Sequence, residues 1–243
     1  VELNANNTIE LVVMNIAIKG LYTNLNGMKR ENKVIYMNRY FEAIAPLVRS
    51  YGGVVFNFDA SLISASFKDA NNAFKCGKLA HKAVKQLNEV ADFAPISVTI
   101  ALHGSKQVDI AIIGDSERFQ ATLLSQVSEE LSQMTSMAKN FDCGLLVSET
   151  VVELMLNQQN NLASNTPSMS SGELRLIAYM GYKPLKIYDC VAFMGEIKPF
   201  AERISNAVVS IAEFDYFEAF EELKSIMYTQ KNVDTSVKSN KFN

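Results

Sequence analysis

The sequence predicts an α+β domain with a pair of helices at its C-terminal end. Three observations predict it. A nearly continuous apolar run, Ile9–Ile18, reads as a central strand buried on both faces. The apolar residues then change to alternating spacings of four and three in several longer segments, the period of an amphipathic helix. Between those segments, short apolar runs come in pairs around tight turns, as hairpins do. The order that results is β-α-β-β-α-β-β-α-β-α-β-β, and its opening is the split βαβ unit of a ferredoxin-like βαββαβ core.

Each element has its own signal. After the first strand comes a polar segment with Gly20, Asn24, Asn26 and Gly27. A helix follows with Met37, Phe41, Ile44, Val48 and Tyr51 as its stripe, and Gly52-Gly53 end it. Two short strands, Val54–Phe58 and Leu62–Phe67, flank a tight turn. A second helix covers Ala70 to Val90 with Ala73, Gly77, Ala80, Val84 and Leu87 on one face, and these small residues suit close packing on a sheet. Ile96–His103 and Val108–Ile113 read as another hairpin. A third helix spans Thr122 to Asn140, striped by Leu124, Val127, Leu131, Met134 and Ala138. Cys143–Val147 is a short strand, and Ser148 caps a short helix containing Val152 and Met155. Residues Asn157 to Gly172, rich in Asn, Gln and Ser, read as a flexible loop. The hairpin Leu174–Tyr179 and Leu185–Val191 closes the domain. Beyond Pro199 two helices are expected, Phe200–Ala212 and Tyr216–Tyr228, the second faintly like a tetratricopeptide helix. The expected organisation is a domain over 1–195, a helical hairpin over 196–230 and a disordered tail over 231–243.

The bulk numbers remove several functions. A chain of 243 residues with 48% hydrophobic content can bury a full core. A net charge of −3, with the 23 Lys and Arg scattered, offers no attraction for nucleic acid, so none is expected as a partner. The three cysteines lie far apart and only two histidines are present, so neither a zinc site nor a disulfide framework is expected, and a reducing, cytoplasmic setting fits. No apolar run approaches the roughly 20 residues that span a bilayer, so no direct membrane insertion of this segment is expected. The chain starts at Val1, which leaves room for a longer or membrane-tethered protein of which this is the soluble part. His103 reads as a structural residue at a strand end, with no carboxylate cluster beside it. Lys19, Lys29 and Arg30 read as charges on a solvated loop, and the ten methionines as core.

Five segments in register resemble the class III adenylate and guanylate cyclase homology domain. Met37-Asn38-Arg39-Tyr40-Phe41 is similar to that family's LN-x-YF. Tyr51-Gly52-Gly53 with the hairpin up to Phe67 is similar to YGG…K-x-x-GD…A-x-F, and Leu102-His103-Gly104 to GIHTG. Leu145-Leu146-Val147-Ser148-Glu149 is similar to ILVSE, and Pro184-Leu185-Lys186-Ile187-Tyr188-Asp189 to P-V-x-V-Y-E. The resemblance covers Ile9 to Val191 and implies a core of the nucleotidyl cyclase type, with extra C-terminal strands and a helical hairpin. The diguanylate cyclase palm, which starts from a similar core, would need an acidic pair in the hairpin turn; Gly52-Gly53 instead precede the hairpin and no such pair follows.

The resemblance also implies a set of chemical positions, and here they are altered. The family holds two divalent cations on two Asp side chains, and Mg²⁺ wants oxygen ligands including a carboxylate. The first of these positions, before Ile18-Lys19-Gly20, is Ala17. The second, in the hairpin turn, is Ser61. Asp59 lies two residues earlier and is well suited as a turn residue; only a distorted turn would bring it to the metal side. Base recognition falls to Asn57 and Gln120, which hydrogen-bond without charge. The positions that stabilise the transition state are Glu129 and Gln133, and an acid there opposes charge building up on phosphate. Glu129 and Glu130 together would repel a polyanion.

A degenerate domain of this kind implies a catalytically inactive regulatory or scaffolding module in signal transduction. Its expected partner is a second copy or another cyclase-type domain, and it needs no cofactor. Two alternatives remain at this point. One is an active or partner-completed cyclase making cAMP or cGMP with Mg or Mn. The other is a small-molecule sensor using Asn57, Ser61 and Gln120 in the altered cleft.

Overall fold

In a computed structural model, residues 9–90, 94–114, 119–124, 126–161, 173–181 and 184–239 are described. The chain forms two compact units, residues 1–168 and 169–243, where the sequence places the change at 195.

In the first unit, strand β1 (Ile9–Ile18) leads through a short helix α1 (Leu21–Leu25) to helix α2 (Arg30–Ser50). Hairpin β2 (Val54–Asp59) and β3 (Leu62–Phe67), helix α3 (Ala70–Val90) and strand β4 (Val98–Gly114) follow. Then come β5 (Phe119–Leu124), α4 (Val127–Asn140), β6 (Leu145–Ser148) and α5 (Glu149–Asn161). The strands lie in the order β2-β3-β1-β4-β6, with β5 paired to β4. β1 is antiparallel to both β3 and β4, which is the ferredoxin-like arrangement expected, and β6 runs parallel to β4.

The continuous apolar run of β1 has a direct cause: both of its faces are covered. Side chains alternate across a strand, so Ile16 and Asn15 point to opposite faces of the sheet. On the Ile16 face, α2 approaches through the Tyr40 hydroxyl, which donates to the Ile16 carbonyl at 2.9 Å. α3 packs there as well, with Gly77 against Leu145 and Ile100. On the Asn15 face lies α4, whose Thr135 hydroxyl accepts from the Asn15 amide at 3.1 Å. Every residue from Leu11 to Ile18 is buried as a result.

Several elements differ from the sequence reading. The buried stripe of α2 is Tyr36, Tyr40, Ile44, Ala45 and Val48, one residue out of phase with Met37 and Phe41 at its start. Two tyrosines can be buried because their hydroxyls are bonded, Tyr36 accepting from Asn24 at 3.0 Å. Phe41 instead meets Phe58 of β2 edge to face, 5.2 Å between centroids. The expected hairpin Ile96–His103/Val108–Ile113 is one strand, β4, whose far half pairs with β5, Ile113 opposite Gln120. Residues 122–124, expected in the third helix, belong to β5, and α4 starts at Val127. α5 continues to Asn161, into the segment expected as loop; residues 162–172 lie outside the described residues.

In the second unit, hairpin β7 (Leu174–Met180) and β8 (Leu185–Cys190) leads through two short 3₁₀ turns to α6 (Ala201–Ala212) and α7 (Tyr216–Ser239). α6 joins the hairpin through the Ser205 hydroxyl on the Leu176 carbonyl at 2.8 Å. α7 runs on to Ser239, past residue 231 where the expected tail begins. No described helix is long and apolar enough to cross a membrane.

Candidate functional site

The fold brings the two expected metal positions together. Ala17 on β1 pairs with Leu62 at the start of β3, and the Ile18 N–H donates to the Ser61 carbonyl at 2.8 Å. Ala17 is fully buried, and Ser61 sits half-buried in the two-residue turn closing β2 and β3. A methyl group and a neutral hydroxyl supply no anionic oxygen, so these residues do not fit a pair of divalent cations. Asp59 pairs with Leu62 on the outer strand β2, with β3 between it and β1. Two strand spacings put it roughly 10 Å from Ala17. Its carboxylate is exposed and accepts the Ala60 N–H, the bond of a turn residue.

Beside these positions the end of β1 turns at Gly20, whose φ of 59° is in the left-handed region that glycine enters without strain. The turn, α1 and α4 enclose an open cavity of about 230 Å³, lined by Ile18, Gly20, Tyr22, Thr23, Ser61 and Lys139. Lys139, at the end of α4, places a cation on this wall. Lys19, one residue before the turn, points elsewhere and pairs with the Asp142 carboxylate. Lys29 and Arg30 are exposed.

The remaining expected positions scatter. Asn57 is half-buried on β2, opposite Ser64. Gln120 lies in β5 rather than before a helix, and its side chain is outside the described residues. Glu129 and Gln133 are both exposed on α4, away from the buried stripe of Val127, Leu131, Met134 and Ala138.

Glu130 does not act with Glu129. It turns inward, and its carboxylate accepts from His103 Nε2 at 2.7 Å. This corrects the expectation that His103 ends a strand: it stands within β4 and is 2% exposed, with the single carboxylate of Glu130 beside it. Its Nδ1 lies 3.5 Å from the Thr150 hydroxyl, which is 2.7 Å from Ser148 Oγ, an arrangement that fits the Nε2–H tautomer. Burial pushes the His103 pKa below the ordinary histidine range and outweighs the Glu130 carboxylate, which pulls it up. His81 is also held low, mainly by burial, with Nε2 at 2.8 Å from the Gly144 carbonyl.

A second polar line crosses the sheet. Ser64 donates to Asn15 Oδ1 at 2.8 Å, Asn15 donates to Thr135, and Thr135 donates to the Leu131 carbonyl at 2.7 Å. It ties β3, β1 and α4 together.

No family model matches the chain. An adenylate cyclase from Anabaena cylindrica is 22% identical over 162 residues, 63% of this chain and 32% of that protein. Among solved structures, a bacterial light-regulated adenylyl cyclase superposes with a TM-score of 0.62 at 15% identity, covering 81% of this chain and 57% of that one. A dimeric guanylyl cyclase domain from the aquatic fungus Blastocladiella emersonii superposes with a TM-score of 0.57 at 11% identity, covering 75% of this chain and 96% of that domain. This chain thus spans about a third of the length of the first and just over half of the second. The strand order, the packing of α2 and α3 opposite α4, and these superpositions lead to one statement: the chain has the fold of the class III adenylyl and guanylyl cyclase domains.

Proposed function

We propose that this chain is a catalytically inactive cyclase-type domain that pairs with a second cyclase-type domain and regulates or scaffolds a signalling assembly. The observation that carries the reading is the pairing of β1 with the β2–β3 turn. It sets side by side Ala17 and Ser61, the two positions at which the family resemblance calls for carboxylates. Glu129, exposed on α4 where a cation would be needed, supports the same reading. Localisation in the cytoplasm remains part of this proposal, as does the absence of a cofactor.

Pairing is supported by the fungal guanylyl cyclase domain, which is described as dimeric and whose fold this chain shares. Light scattering on the purified chain tests it. A dimer, alone or with a cyclase-type partner, is expected at high micromolar concentration; a strict monomer with every such partner would overturn the reading.

One observation favours a second reading, a partner-completed cyclase. Lys139 places a cation on the wall of the cavity beside Ser61, where a polyphosphate could be met. Mixing with a domain that carries both acids then separates the two: a rise in turnover that is lost with Lys139→Ala favours partner completion, and unchanged turnover favours the regulatory reading.

A further inference from the structure

Helix α7 carries an apolar stripe that none of the described residues covers. Ala219 and Ile226 are buried, and Glu222 bonds Arg203 of α6 at 2.5 Å, so the 219/222/226 side of α7 is turned inward on α6. A different side carries Tyr216, Phe217, Phe220, Leu223 and Met227, which are 38% to 78% exposed. At roughly 200 Å² to a large side chain, these five leave on the order of 600 Å² in water. That is at the upper end of what a monomer usually shows in one patch and approaches the roughly 800 Å² each partner of a stable dimer contributes.

The spacing says what fits the stripe. Tyr216, Phe220, Leu223 and Met227 follow one another at intervals of four, three and four, the d-a-d-a seam of a coiled coil. Read antiparallel about a two-fold axis between Glu221 and Glu222, the seam matches itself: Phe220 meets Leu223 of the other copy and Tyr216 meets Met227. A two-fold contact requires such self-matching. Phe217 and Lys224 share one flank of the seam. Lys224 already lies 5.4 Å from the Phe220 ring centroid, and the axis would bring it beside Phe217 of the second copy, a cation over an aromatic face.

We infer that α7 is a homotypic docking surface, which pairs antiparallel with α7 of a second copy of this chain through the Tyr216/Phe220/Leu223/Met227 seam. Two helical hairpins joined in this way make a four-helix arrangement, with both α7 helices inside. The surface is separate from any pairing through the cyclase-type unit, so either can fail without the other.

Cysteine cross-linking of the full chain reads α7 proximity alone, because Cys76, Cys143 and Cys190 are all buried. Phe220→Cys and Leu223→Cys chains are purified separately, checked for unchanged thermal melting, and oxidised mildly. The mixture is expected to give a reducible covalent dimer at least tenfold faster than either chain alone. Glu218→Cys, outside the seam, should give none with either. Phe220→Cys linking to itself as fast as the mixture would show parallel pairing and overturn the inference. No link in the mixture at high micromolar concentration would overturn it as well, and would leave the stripe to a different occupant.

Discussion

The two ends of helix α4 meet the sheet in different ways. From Glu130 to Thr135 it is held by polar groups, Glu130 on His103 in a part-buried contact and Thr135 on Asn15 in a buried one. Its last turn, at Lys139, borders an open cavity whose neighbouring strand positions are Ala17 and Ser61. Among the described residues, bonded polar side chains fix α4 to the sheet at Glu130 and Thr135, while the expected metal positions hold a methyl group and a hydroxyl. The difference teaches that the polar groups orienting α4 on the sheet are distinct from the side chains that line the cavity at its last turn.

Replacing Ala17 with Asp gives the largest effect expected from this contrast. A carboxylate at a fully buried position with no cation beside it should destabilise the protein by about 3–5 kcal/mol, read by urea unfolding. The contrast breaks if Ala17→Asp is neutral and Mn²⁺ raises its Tm, since the position would then be open to a cation.

A smaller cost is expected from Asn15→Ala. It removes the acceptor of the Ser64 hydroxyl and the donor to Thr135, and should cost about 1–3 kcal/mol by the same measurement. Ser61→Ala should stay within about 0.5 kcal/mol, because its carbonyl, which holds Ile18, is kept. Equal costs for the two would erase the difference between the ends.

The third effect depends on pH. With its pKa lowered in the fold, His103 stays neutral while the unfolded chain takes up a proton, so the unfolded state binds more protons between the two pKa values. Stability is therefore full above the ordinary histidine pKa of about 6.5 and falls as pH drops below it. His81 acts in the same direction. In His103→Gln the acid slope should be shallower by at most about 1.4 kcal/mol per pH unit. An unchanged slope in melting curves taken from neutral to mildly acidic pH would remove His103 from the account.

Much of the fold was legible because burial leaves a period in the sequence. β1 and β3 are found at the expected residues, and so is α3, whose small residues pack on the sheet. The failures have physical reasons too. The Gly104-Ser105 break in β4 looked like a turn, yet Gly104 is there for space: a Cβ would come within 2.9 Å of Leu154 Cδ1 and 3.3 Å of Val151 Cγ2. Leu124 continues the helical spacing of Val127 and Leu131 by coincidence, while its backbone pairs with Asp109 of β4. At the candidate site, Ala17 and Ser61 were legible because the resemblance supplied their register. The Asn15–Thr135 bond was not, since 120 residues separate its ends and neither residue stands out alone. The place of Lys139 on the cavity was hidden for a similar reason, since it follows from how α4 as a whole sits on the sheet.

The most direct test is turnover of ATP and GTP with Mn²⁺ by the purified chain. The account predicts no cAMP or cGMP above the background of a protein-free control. Cyclic nucleotide well above that background, lost on Asp59→Ala, would contradict it and place a working metal site at the end of β2.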